Sequence, residues 1–114
     1  MFNEMLAMGS DGGGGYYKYV LASELALNVA YPINVGFVPT KAMAYFTNDA
    51  PTTVGYTFEI TNGTITKIYR SVNGSVDAEQ TLPSDLFSLT GTTFYLTPKA
   101  SSYVKNWHFM FVKE

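Results

Sequence analysis

The stretch Thr53–Arg70, "TVGYTFEITNGTITKIYR", constrains the fold more than any other part of the chain. Val54, Tyr56, Phe58 and Ile60 alternate with Gly55, Thr57 and Glu59, the period-two pattern of a strand with one buried face. Asn62-Gly63 then supplies two residues that accept positive φ, as a type I′ hairpin turn requires. Thr64–Arg70 returns as the partner strand. A second Asn73-Gly74 turn leads into Ser75–Thr81, so the middle of the chain predicts a three-strand antiparallel meander. Asn62-Gly63-Thr64 and Asn73-Gly74-Ser75 also fit the glycosylation acceptor pattern. Both fall where a turn is needed and no export signal precedes them, so they are read as turns.

The flanking sequence extends the same theme. Tyr16–Leu21 is a short aromatic strand. Leu25, Leu27, Val29 and Tyr31 alternate with Ala26, Asn28 and Ala30, which predicts a strand over residues 23–31, with a helix as competitor because Ala, Glu and Leu favour one. Pro32 interrupts that run; Ile33, Val35 and Phe37 resume it and Pro39 ends it. Lys41–Thr47 follows, closed by Asn48-Asp49-Ala50-Pro51. Pro83-Ser84-Asp85 predicts a loop or single helical turn around Leu86 and Phe87. Thr92–Thr97 and Tyr103–Val112 are the last strands. The final strand carries Trp107, Phe109 and Phe111 on one side and Val104, His108, Met110 and Val112 on the other. Apolar on both sides, it is expected to be central in its sheet. At 114 residues the chain holds one domain. Its composition is 46% hydrophobic and only 14% charged, against about 25% charged in an average domain. The expected fold is therefore all-β: a single antiparallel β-sandwich, jelly-roll-like, over residues 16–114.

That domain is preceded by a different kind of sequence. "MFNEMLAM" (residues 1–8) is rich in Met, Phe and Leu, with Phe2, Met5 and Leu6 at helical spacing. Eight residues do not hold a helix alone in water. Residues 9–15, "GSDGGGG", read as a flexible linker that spans about 15 Å as a random coil. An apolar peptide on such a tether calls for a pocket in its own assembly or in a partner. Residues 1–8 are thus read as an anchoring peptide, with Met1, Phe2, Met5 and Leu6 as its contacts. The start has no basic region and carries Glu4, unlike a secretory signal. No apolar run approaches the roughly 18 residues that span a bilayer, so no membrane partner is expected. A net charge of −2 and a pI near 5.2 argue against nucleic-acid binding.

Reaction chemistry finds little purchase. The chain has no cysteine and one histidine, which excludes disulfides and thiolate ligands and suits assembly in a reducing cytoplasm. His108 has no second histidine or spaced acidic cluster to share a metal with, and it is read as a packing or hydrogen-bonding residue. The glycine run follows no strand and lacks the spacing of a phosphate loop. Asp77 and Glu79 form an isolated pair on a solvated strand. The expectation is a protein without enzymatic activity, cofactor or metal. Aromatic residues are the remaining signal. Tyr16, Tyr17, Tyr19 and Tyr103 fit the core pattern least well and are candidates for contact with a ligand or another subunit.

Three segments resemble small bacteriophage virion β-sandwich proteins: "MFNEMLAMGS" with its glycine run, "VGFVPTKAMAYF" (Val35–Phe46), and the ending "TFYLTPKASSYVKNWHFMFVKE". In that family a Gly-Phe-x-Pro-x-Lys segment, here Gly36–Lys41, precedes a variable middle. A Gly-Thr-x-Phe-x-Leu strand, here Gly91–Leu96, then leads to a Trp-aromatic closing strand, here Trp107–Phe111. The resemblance implies a structural protein of the virion, assembled in the host cytoplasm. It implies a tail-tip or fibre module that binds a host-surface glycan or protein, with a capsid decoration protein or head fibre as the alternative. Other virion proteins are the implied partners, with self-assembly most consistent with a trimer. Where the family often has a small residue after the last Trp, Phe109–Val112 is bulkier, which implies a larger self-association surface.

Overall fold

The computed structural model of the chain describes residues 14–21, 24–47, 52–100 and 106–114. The fold is all-β, with two antiparallel sheets packed face to face and no helix among the described residues. The strands are β1 (Gly15–Leu21), β2 (Tyr31–Asn34), β3 (Lys41–Thr47), β4 (Thr53–Thr61), β5 (Thr64–Val72), β6 (Ser75–Glu79), β7 (Phe87–Thr90), β8 (Thr93–Leu96) and β9 (Trp107–Lys113). The larger sheet has the order β1-β9-β3-β4-β5-β6, and the smaller one β2-β8-β7.

The meander predicted from the middle of the chain is present as β4-β5-β6. Asn62 and Gly63 have φ of 52° and 75°, and Asn73 and Gly74 have 50° and 88°. The Asn73 side chain also accepts a hydrogen bond from the Thr53 N–H at 2.9 Å, tying the turn to the start of β4. Gly63→Ala is expected to cost about 1 kcal/mol, because a Cβ disfavours this φ. The added methyl meets only Val38 Cγ1, at 3.5 Å, so the loss reports backbone conformation. Chemical denaturation checks it; unchanged stability would mean the turn is not formed this way.

β9 lies between β1 and β3, as its two-sided apolar sequence predicted. Trp107, Phe109 and Phe111 point inward and are fully buried. They meet the smaller sheet through its own aromatics. Phe94 lies 5.1 Å from Phe111 and 5.3 Å from Phe58, and Phe87 lies 4.8 Å from Phe58 and 5.8 Å from Trp107, measured between ring centroids. Among the described residues no polar or charged side chain is buried. The core is therefore held by apolar burial and edge-to-face aromatic packing.

Three expectations are corrected. Residues 24–30 form neither strand nor helix. Asn28 adopts a φ of 62°, and its N–H donates to the Pro98 carbonyl at 2.8 Å. This left-handed turn breaks the alternation. Leu25 is buried while Leu27 and Val29 are exposed. Pro32 sits inside β2 rather than breaking it. β2 is an edge strand of the smaller sheet, where a missing N–H is tolerated. Residues 83–86 form the loop rather than the helical turn, and Phe87 opens a strand: Ser84 Oγ accepts from the N–H groups of Leu86 and Phe87 at 3.1 and 3.2 Å. That turn delivers Phe87–Thr90 to pair with β8 across Gly91-Thr92.

Candidate interaction surface

The outward face of the larger sheet is the part of the described surface that carries the most organised chemistry. Antiparallel register arranges its side chains in rows that cross the strands. One row runs Val20, His108, Tyr45, Gly55, Ser71 and Val76, from β1 to β6. The next runs Lys18, Met110, Met43, Thr57, Tyr69 and Glu79. A third runs Tyr16, Val112, Lys41, Glu59 and Lys67. The face thus grades from apolar and aromatic at one end to charged at the other.

In the first row the Tyr45 and His108 rings stack at 4.8 Å with only 9° between their planes. The pair makes a flat platform on adjacent strands. Beside it Gly55 leaves a depression of about 420 Å³, walled by Met43 and Tyr45 on one side and by Ser71, Gly74 and Val76 on the other. A Cβ at Gly55 would stand 2.9 Å from Ser71 Oγ, so the glycine keeps the floor of the groove low. Val76 is 69% exposed and Val20 50% exposed, an unusual display for strand valines at both ends of one row. Chemically, such a surface can take a planar apolar face, such as that of a sugar ring or an aromatic side chain.

At the charged end Lys41 pairs with Glu114 at 3.2 Å, a solvent-exposed contact of small energetic weight. A hydrogen bond with the Tyr69 side chain, reinforced by attraction to Tyr69, Glu59 and Glu79, holds the Lys67 ammonium above the usual lysine value. A raised lysine stabilises the fold below its ordinary value of 10.5 and loses that contribution as pH rises through the raised one. Across the physiological range Lys67 is therefore a constant positive charge.

The sequence-selected residues separate here. Tyr16 lies on the outward face, 41% exposed, and its hydroxyl donates to Met110 Sδ at 3.4 Å. Tyr17 and Tyr19 point the other way and pack on the edge of the core, stacked 6.1 Å apart with Tyr17 6.4 Å from Phe111. Tyr103 and the anchor residues Met1, Phe2, Met5 and Leu6 lie outside the described residues, as does the side chain of Asp77. Gly15, read as the end of the linker, is the first residue of β1 opposite Lys113. A Cβ there would press on the Phe37 ring at 2.9 Å, so this glycine belongs to the packed domain. The sequence reading missed Tyr45, Met43, Gly55 and Val76. The alternation in β4 marked Gly55 as outward-facing, but only the strand order aligns the four with His108.

His108 is half-buried on this outward face, and no group of three His, Cys, Asp or Glu lies together among the described residues. His108→Gln is expected to cost about 0.5–1.5 kcal/mol through the lost stack on Tyr45. Comparison with Tyr45→Ala and the double variant by denaturation checks this; additive losses would mean the rings do not interact. A second concavity, about 520 Å³, opens between the inner face of β5 and residues 80–87, with Asp85 and Lys99 among its lining. It has no histidine and no grouped carboxylates. No known family model matches the chain, and no characterised protein or solved structure is significantly similar to it.

Proposed function

We propose that this protein is a non-enzymatic structural component of a bacteriophage virion, a tail-associated module that binds a host-surface glycan or protein. Residues 1–8 anchor it in the particle and the β-sandwich displays the binding face. One observation carries the binding part of this reading: the row from Val20 through the Tyr45–His108 platform and the Gly55 groove to Val76. Exposed valines at both ends of the row, with the aromatic platform between them, favour contact with another surface. Repeated copies in a particle let each contact be weak while the sum is strong.

Two measurements test the proposal. Virion cryo-EM should place the domain at the tail; density on the shell instead would replace this reading with capsid decoration. Tyr45→Ala is expected to lower binding to host cells at least about tenfold, the share of an aromatic anchor. Trp107 emission should stay that of the folded domain. Unchanged host binding by this variant would remove the face from the function.

A further inference from the structure

The chain holds two Asn-Gly pairs, Asn62-Gly63 and Asn73-Gly74, and every other asparagine precedes a larger residue. Asn-Gly is the pair most open to internal attack on the asparagine side chain, because glycine carries no Cβ to crowd its own nitrogen. The two pairs sit in matching backbone. Both asparagines are exposed at hairpin turns with φ of 52° and 50°, and each is followed by a glycine at positive φ. Turn conformation therefore does not separate them.

The hold on the side chain does. Asn73 is clamped to Thr53 at the start of β4. Its N–H donates to the Thr53 carbonyl at 2.8 Å, and its Oδ1 accepts from the Thr53 N–H at 2.9 Å. The second bond must break before the Asn73 amide carbon can turn toward the Gly74 nitrogen, and breaking it leaves a backbone donor unpaired. Among the described residues the Asn62 side chain has no such partner. It stands exposed at the tip of the β4-β5 hairpin.

We propose that Asn62 is a site of spontaneous modification, converted to aspartate and isoaspartate in the folded protein, while the clamp protects Asn73. The Gly63 nitrogen attacks Asn62 Cγ. An N–Cγ bond forms, the Cγ–Nδ2 bond breaks, and the Gly63 amide proton leaves with the side-chain nitrogen as ammonia. Water then opens the five-membered imide. Attack at Cγ gives aspartate; attack at the Asn62 backbone carbonyl carbon gives isoaspartate, with the side-chain carbons now in the main chain. No oxidant or reductant takes part. Either product puts a negative charge on the hairpin tip, and isoaspartate also lengthens a two-residue turn by one backbone carbon. This chemistry sets how the domain ages and is independent of what it binds.

The full-length protein, held at neutral pH and sampled over time by peptide mapping with mass spectrometry, reads both positions in one sample. Asn62 is expected to gain the amide-to-acid mass shift about two- to tenfold faster than Asn73, the share of one hydrogen bond in the rate. In concentrated urea, where both turns are lost, the two rates should converge. Thr53→Pro removes the N–H that holds Asn73 Oδ1, and it falls at the first residue of β4, where proline is tolerated. In that variant, with Trp107 emission reporting the fold, Asn73 should speed up toward Asn62. If the variant does not fold, the folded and urea-unfolded unsubstituted chains decide alone. Equal rates in the folded protein would overturn the proposal, as would a faster Asn73, the result if opening of the edge strand β6 outweighs the clamp. A difference that persists unchanged in urea, or an unchanged Asn73 rate in folded Thr53→Pro, would also overturn it.

Discussion

Replacing Phe94 with alanine is expected to lower the stability of the domain by about 3–5 kcal/mol, the range for deleting a fully buried aromatic ring. Phe94 is 0% exposed and occupies the middle strand of the smaller sheet, opposite Ile33 on β2 and Leu89 on β7. Its ring meets Phe58, Phe109 and Phe111 of the larger sheet, so with Phe87 it joins the two layers. Domains of this size are stable by about 5–15 kcal/mol in total, and the variant is expected to unfold at much lower urea concentration. Trp107 is itself fully buried beside Phe87 and Phe109 and reports the transition by its emission. Tyr95→Ala, one residue along and on the other face of β8, is the control and should cost about 1 kcal/mol. Equal losses at the two positions would mean that the sheets do not pack through Phe94.

Removing residues 1–13 is expected to reduce incorporation into virions from full copy number to background while leaving the sandwich folded. The cut must stop before Gly14. Gly15 pairs with Lys113 and lies under the Phe37 ring, so a deletion reaching residue 15 would damage β1 as well as the tether. Among the described residues the core contacts lie between Tyr17 and Phe111, and the shortened chain keeps all of these. Quantifying the protein in purified particles by mass spectrometry decides the matter. Normal copy number in the truncated form would remove the anchoring role from residues 1–8.

Local information was sufficient for the β4-β5-β6 meander, where each strand's neighbour is the next strand in the chain. The alternation of Val54–Ile60, the two Asn-Gly turns and the return strands each specify a hairpin through contacts a few residues apart. The Trp107–Phe111 face was legible for the same reason: a strand with bulky residues on both sides needs cover on both. Residues 24–30 were misread because alternation is a necessary sign of a strand and not a sufficient one. Asn28 turns left-handed to donate to Pro98, a partner seventy residues away that no local pattern announces. Phe87–Thr90 was hidden by its brevity and by Pro83, and became a strand only because β8 pairs with it.

The sequence by itself determined the class of the fold, the meander, the central place of the last strand and the core aromatics, because burial and turn geometry act over a few residues. The tertiary structure alone decided which outward-facing residues stand together. Strand order and register bring Val20, His108, Tyr45, Gly55, Ser71 and Val76 into one row from six separate strands. They also set Tyr16 on the outward face and Tyr17 and Tyr19 against the core. Side-chain direction along a strand is a local property, but adjacency across a sheet depends on every connection between the strands.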